Sequence, residues 1–248
     1  MQPVPDEGFL ARHGVLAAGY GGRGDPADPA AVLAMPIVLH LPKTDPPPRS
    51  ALLEAAAAAT IALCLDERVG VGGEWHDAFV NWTGARIRKV ARRARGAHWR
   101  AACEVPGVTA EIAGAQARAF VPGPVGELDS RIHRLQIGGT DLEHDDPGPT
   151  RPDLPVLWVN SALDMTLGKA AAQVGHASML LAGAMNVDDV FTWSQSGFDC
   201  SVRDAGSDLW HRLEGLVTER RAIAVRDAGF TEVAPGSMTV IAVPGERP

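Results

Sequence analysis

Apolar and polar residues along this chain switch repeatedly between a short, continuous pattern and a helical one. Apolar runs at 35–41 (MPIVLHL) and 154–159 (LPVLWV) have the length and bounding prolines of buried strands. Each precedes an Ala-rich stretch, 50–65 (SALLEAAAAATIALCL) and 166–184 (TLGKAAAQVGHASMLLAGA), that predicts a helix capped by Ser50 or Thr166. A short helix ending in tryptophan follows in both places (HDAFVNW and NVDDVFTW), then a strand, a Trp-bearing helix and two strands. In the first half those strands are predicted at 86–90, 115–121 and 132–137, with a helix at 96–104. In the second half they fall at 198–202, 222–225 and 238–243, with a helix at 206–217.

The two series repeat each other. Trp82 to Trp99 and Trp193 to Trp210 are both 17 residues apart, and 119–139 echoes 229–245 around a shared Pro-Gly. The predicted fold class is α/β: a mixed β-sheet flanked by helices, in two tandem related halves forming a pseudo-dimer. The Gly/Pro/Ala-rich residues 1–34 read as an irregular arm and 35–137 as the first half. Residues 138–153 (GGTDLEHDDPGPTRPD) read as an acidic, solvated linker, and 154–248 as the second half.

Charge refines this division. Net charge is −7, yet 1–137 holds 15 Lys+Arg against 14 Asp+Glu, while 154–248 holds 7 against 11. The basic residues concentrate at Arg86, Arg88, Lys89, Arg92, Arg93, Arg95 and Arg100, a candidate phosphate-binding patch or a solvated face. Cys64, Cys103 and Cys200 are too few and too far apart for a disulfide framework or a zinc set, so a reducing, cytoplasmic setting is expected. No secretory leader or apolar run of membrane-spanning length is read, and no metal or cofactor motif.

The chemistry concentrates in the second half. On the 166–184 helix, Lys169, Gln173 and His176 stand at i, i+4 and i+7 and so share a face. Lysine in a first turn opposes the helix dipole, which implies an anion close by. The second stretch is 226–239, RDAGFTEVAPGSMT. Asp227 ends an apolar strand, Gly229 and Gly236 shape the loop after it, and Thr231 and Thr239 offer hydroxyls at its two ends. If the first and third strands of this half are neighbours, Asp227 lies beside the helix N-terminus. The first half has no Lys-Gln-His face, so a single site is expected. Trp82, Trp99, Trp193 and Trp210 read as packing residues rather than base-stacking platforms.

LGKAAAQVGHA followed about fifty residues later by DAGFTEVAPGSMTV resembles the type 2 peptidyl-tRNA hydrolase family, over roughly 154–243. The resemblance implies a compact α/β domain, usually a homodimer, that hydrolyses the ester joining a peptide to the tRNA 3′ end. It implies Lys169, Asp227, Thr231 and Thr239 as catalytic residues and Gln173, His176 and Gly236 as substrate-binding residues. Peptidyl-tRNA is the implied partner, with no cofactor, metal or membrane. Leu167 stands where the family often has lysine, and Phe230 where it often has arginine. In this reading water attacks the ester, Asp227 positions or deprotonates it, and Lys169 with helix N–H groups stabilises negative charge. The first half replaces the second subunit of a dimer, giving a monomeric pseudo-dimer unless the chain pairs again. It would supply RNA contacts through Arg86, Arg88, Lys89, Arg92 and Arg93. The same residues also admit a non-catalytic RNA-binding or regulatory module, or an esterase or amidase for a small acylated molecule.

Overall fold

The computed structural model describes residues 4–139, 141–229 and 232–246 of the 248. Helix α1 (Glu7–Ala17) leads into strand β1 (Leu33–His40), helices α2 (Arg49–Cys64) and α3 (His76–Thr83), strand β2 (Arg88–Ala94) and helix α4 (Gly96–Cys103). The hairpin β3 (Gly107–Ile112) and β4 (Ala115–Phe120), the two-residue β5 (Gly123–Pro124) and the single turn α5 (Ser130–His133) complete the first half. The second half runs β6 (Val156–Asn160), α6 (Leu167–Ala184), α7 (Val187–Gln195), β7 (Ser201–Ala205), α8 (Ser207–Thr218), β8 (Ile223–Arg226) and β9 (Met238–Val243).

The two sheets have one topology. Strand order is β2-β1-β4-β3 in the first and β7-β6-β9-β8 in the second, with one parallel pair, β1–β2 or β6–β7, in each. The remaining neighbours in each order are antiparallel. Alternation along the strands divides the side chains between two layers of core. Met35, Ile37 and Leu39 of β1, with Leu157 and Val159 of β6, enter a central core shared by the halves. Val38 instead packs with Trp99 beneath α4, and Ile241 with Trp210 beneath α8, in two smaller outer clusters. All four tryptophans read as packing residues are buried.

Helices α2 and α6 cross at the centre through small residues. Ser178 Oγ donates to Ala57 O at 3.0 Å, and a Cβ added to Gly175 would come within 2.8 Å of Thr60 Oγ1. Wider side chains would force the helices apart and open the core. These two contacts exchange under the pseudo-twofold, pairing Thr60 with Ser178 and Ala57 with Gly175. Counting back along both helices places Ala51, Ala55 and Ala58 where the second half has Lys169, Gln173 and His176.

Several sequence expectations need correction. Residues 1–34 are not all irregular: Phe9, Arg12, His13 and Leu16 form one buried face of α1. There His13 Nε2 donates to Ala182 O at 2.9 Å and Arg12 Nε to Leu65 O at 2.9 Å, which ties α1 to both halves. Two polar residues on that face disguise its period. Ser50 is not the cap of α2; Pro48 takes that position, and Ser50 donates to Asp145 of the connecting segment. No strand spans 132–137, where Ile132 and Leu135 instead cover Val38 and Trp99.

The missing strand is β3, whose alternation of Val, Ala and Ile with Thr and Glu is only weakly apolar. It joins β4 through Ala113 and Gly114, both at positive φ (47° and 80°), as a twist-compatible two-residue hairpin requires. Strand β4 therefore corresponds to β9, and the echo between 119–139 and 229–245 is not a structural equivalence. Where the first half turns in two residues, the second inserts 227–237 between β8 and β9.

Candidate active site

That insertion and the first turns of α6 make the site. Thr166 caps α6, its side chain accepting from Lys169 N at 3.2 Å. Lys169 Nζ reaches Asp227 Oδ2 at 2.5 Å, with both side chains about nine-tenths buried (10% and 9% exposed). The expected strand neighbourhood is absent, because β9 lies between β6 and β8. Asp227 still meets the helix, since it leaves β8 at the sheet edge over which α6 packs. Gln173 Nε2 donates to the same Asp227 oxygen at 2.9 Å, and Gln173 Oε1 accepts from Thr239 Oγ1 at 2.6 Å. Gln173 and Thr239 are 3% and 0% exposed, so the buried Gln173 Oε1 is satisfied by the Thr239 hydroxyl, which also lies 3.4 Å from Val225 O. Thr239 is turned inward by a β-bulge: Val225 pairs with Val240 and Arg226 with Met238, leaving Thr239 opposite no partner.

The loop holds the carboxylate from its other side. Gly229 N donates to Asp227 Oδ1 at 2.8 Å, and Gly236 N to Asp227 O at 2.7 Å. Gly229 has φ +78°, and a Cβ there would lie 2.4 Å from Pro235, so no other residue fits. Gly236 thus acts through the backbone of the turn. Thr231 and Phe230 lie outside the described residues. Three donors on one carboxylate fix its orientation.

An anion does sit at the helix N-terminus, from a residue the sequence reading missed. Glu232 accepts from Thr166 N and from Thr166 Oγ1, both at 2.9 Å. A carboxylate there completes the cap and offsets the dipole.

The surrounding cleft has a volume of about 500 Å³ and takes walls from both halves. Gly168 lies against Ile137 and Ala91, while Arg86, Arg88 and Lys89 of the first half line the same space as Lys169, Gln173 and Asp227. The basic run is not one face. Arg88 makes a two-bond pair with Asp25 at 2.7 and 2.9 Å, and Arg86 lies 3.6 Å from the same carboxylate. Arg92 donates to His133 O and Leu135 O, and Arg93 bonds Gln136, away from the cleft. Lys89 is buried, which does not suit the RNA-backbone contact expected of it. Its Nζ lies 3.0 Å from His176 Nδ1 and 4.8 Å from the Trp82 ring centre. Burial pushes the Lys89 ammonium down to about 7, and burial, then Lys89 and Lys169, hold His176 neutral well below its ordinary range. Alternation on β2 would have flagged Lys89 as inward-facing; its histidine partner depends on the packing of two halves.

At the pseudo-symmetric position, the connecting segment covers the N-terminus of α2. Asp145 accepts from Ser50 N at 2.9 Å, and Arg49 and His144 both pair with Asp204. With alanines in place of the Lys-Gln-His face and no counterpart of 227–237, that position lacks the groups assembled at Lys169. Among the described residues, no cluster of His, Cys, Asp or Glu could hold a metal ion, and no helix is long and apolar enough to cross a membrane.

Comparison with known proteins falls on this half. A family model described as peptidyl-tRNA hydrolase PTH2 matches residues 155–247. The "Probable peptidyl-tRNA hydrolase 2" of Schizosaccharomyces pombe is 33% identical over 96 residues, covering 36% of this chain and 46% of that protein. The "Peptidyl-tRNA hydrolase" of Methanopyrus kandleri is 33% identical over 102 residues, covering 37% of this chain and 84% of that protein. The chain thus spans less than half of the first relative and most of the second.

Proposed function

Because this chain belongs to the peptidyl-tRNA hydrolase PTH2 family, we propose that it hydrolyses the ester joining an acyl or peptidyl group to the tRNA 3′ end. The observation that carries the reading is the chain Thr239–Gln173–Asp227–Lys169 at the head of α6, inside the matched residues. Asp227, its oxygens turned by Lys169, Gln173 and Gly229, orients a water and accepts its proton as the water attacks the ester carbonyl. Lys169 stabilises the negative charge that develops on the carbonyl oxygen. Gln173 and Thr239 are positioning residues that hold Asp227, and Thr231 keeps the catalytic role that the family resemblance implies. His176 stays neutral and shapes the wall, while Gly236 sets the turn. Arg86 and Arg88 are the basic residues placed for RNA phosphate. Residues 154–248 act as the catalytic half and 35–137 in place of a second subunit, with 138–153 between them. The reaction as proposed uses no cofactor, and a substrate made by translation is consistent with the cytoplasmic setting expected from the cysteines.

The test is release of N-acetyl-aminoacyl groups from purified tRNA by the native chain, Lys169→Ala and Asp227→Ala. Release should fall by roughly 10²- to 10⁴-fold in each variant. Native-level release by either variant, or tRNA binding by the native protein without release, would defeat the assignment.

A further inference from the structure

Tyr20 is the only tyrosine of the chain and is 51% exposed, while every tryptophan of the repeat is buried. Its ring lines the cleft that holds Lys169, as does Ile137, another exposed apolar side chain (56%). Both offer exposed surface that a ligand in the cleft could cover. No phenylalanine or tryptophan among the described residues lines this space.

The position of Tyr20 is built. Gly19, Gly21 and Gly22 around it all have positive φ (83°, 98° and 106°), a backbone that other residues rarely adopt. Gly21 N donates to Thr83 O at 3.0 Å and Arg23 N to Gly84 O at 3.2 Å, which fastens the strap across the end of α3. Arg23 Nη2 donates to Asn81 O at 3.0 Å, and a Cβ on Gly84 would collide with that guanidinium. The strap continues to Asp25, whose carboxylate is held by Arg88 through two hydrogen bonds and faces Arg86. An internal carboxylate held by a guanidinium fork marks where an external carboxylate or phosphate fits.

We infer that the non-catalytic half supplies a nucleotide subsite. Tyr20 stacks on the 3′-terminal base of the acceptor strand, and Arg86 and Arg88 pass from Asp25 to its phosphate. The inference rests on the hydrolase reading above for its ligand, and an aromatic face beside two guanidinium groups matches a base and its phosphate. A peptide offers such an anion only where it carries an acidic side chain, whereas every nucleotide of the acceptor strand carries one. All the residues concerned lie outside 155–247, so the subsite belongs to the part of the chain that the family match does not reach.

Equilibrium binding of a three-nucleotide RNA carrying the tRNA 3′-terminal sequence tests this without turnover. Tyr20→Ala should weaken binding roughly 5- to 100-fold, the range expected for one lost base–aromatic stack, while Tyr20→Phe stays within about twofold. Arg88→Gln should weaken binding and flatten its salt dependence. With acylated tRNA as substrate, Tyr20→Ala should raise KM and leave kcat nearly unchanged. Equal affinity of native protein and Tyr20→Ala for the trinucleotide, no binding by either, or a change confined to kcat would overturn the subsite. A KM that responds to Tyr20→Ala only with longer peptides would overturn it in favour of a peptide contact. Native protein that binds the trinucleotide through Tyr20 and releases nothing from acylated tRNA would support the subsite and refute the hydrolase.

Discussion

Lys89 is the residue whose replacement should say most about how the halves are joined. It is 9% exposed, in contact with His176, Met179 and the Trp82 ring, and burial lowers its ammonium from the ordinary 10.5 to about 7. That fall corresponds to about 5 kcal/mol of preference for the neutral amine in the folded state. Below pH 7 both folded and unfolded chains carry the proton, and the folded state bears the full desolvation cost. Between pH 7 and 10.5 the unfolded chain binds more protons, so this residue makes stability rise with pH; above that window the cost is gone. Lys89→Met keeps an unbranched side chain one atom shorter and removes the cost, but leaves His176 Nδ1 without its partner, a loss of about 1–3 kcal/mol. The variant should therefore be more stable than native by roughly 2–4 kcal/mol near pH 7, or about 5–15 °C in Tm. Its advantage should vanish, and then reverse, as pH approaches 10. Urea unfolding followed by tryptophan fluorescence at pH 7, 8, 9 and 10 measures this. Staying at or above pH 7 keeps His176 neutral throughout. Cys64 faces Lys89, but burial raises its thiol to about 12, so in the folded native protein it stays protonated across this pH range. A difference that does not change with pH, or a variant less stable than native at pH 7, would refute the burial argument.

Two further outcomes test the packing of α6 at its two ends. Thr239→Val removes the hydroxyl that satisfies buried Gln173 Oε1, so it should cost about 1–3 kcal/mol of stability and lower kcat more than it raises KM; unchanged stability would mean that Gln173 finds another donor. Gly183→Ala would normally favour a helix, but here its Cβ would lie 2.6 Å from Leu16 O, so it should destabilise by about 1–3 kcal/mol and speed proteolysis of α1, and a rise in Tm would refute that contact.

Local pattern and local chemistry were legible in the chain. The α6 helix, its Thr166 cap, the shared face of Lys169 and Gln173 and the apolar strands β1, β6 and β9 follow from periodicity, because each is set by residues within a turn or two of one another. Two motifs in order marked the family, and matched element series marked the two halves. Strand β3 and helix α1 were less visible because their buried faces are interrupted by polar residues: Thr109 and Glu111 alternate with small apolar ones, and Arg12 and His13 find partners only on other elements.

What the sequence by itself determined is most of the elements, and which polar residue types are gathered in the second half. Tertiary structure decided which of them meet. Asp227 reaches Lys169 although their strands are not neighbours, because α6 packs across the sheet edge from which the 227–237 loop leaves β8. The basic run at 86–100 was split by strand alternation and packing: Arg86 and Arg88 went to the cleft, Lys89 into the interior beside His176, and Arg92 and Arg93 to the 133–136 segment. Tyr20, Asp25 and Glu232 entered the site from segments with no periodic signal. Contacts between residues far apart in the chain depend on how whole elements bury their apolar faces together, and no local pattern encodes that sum.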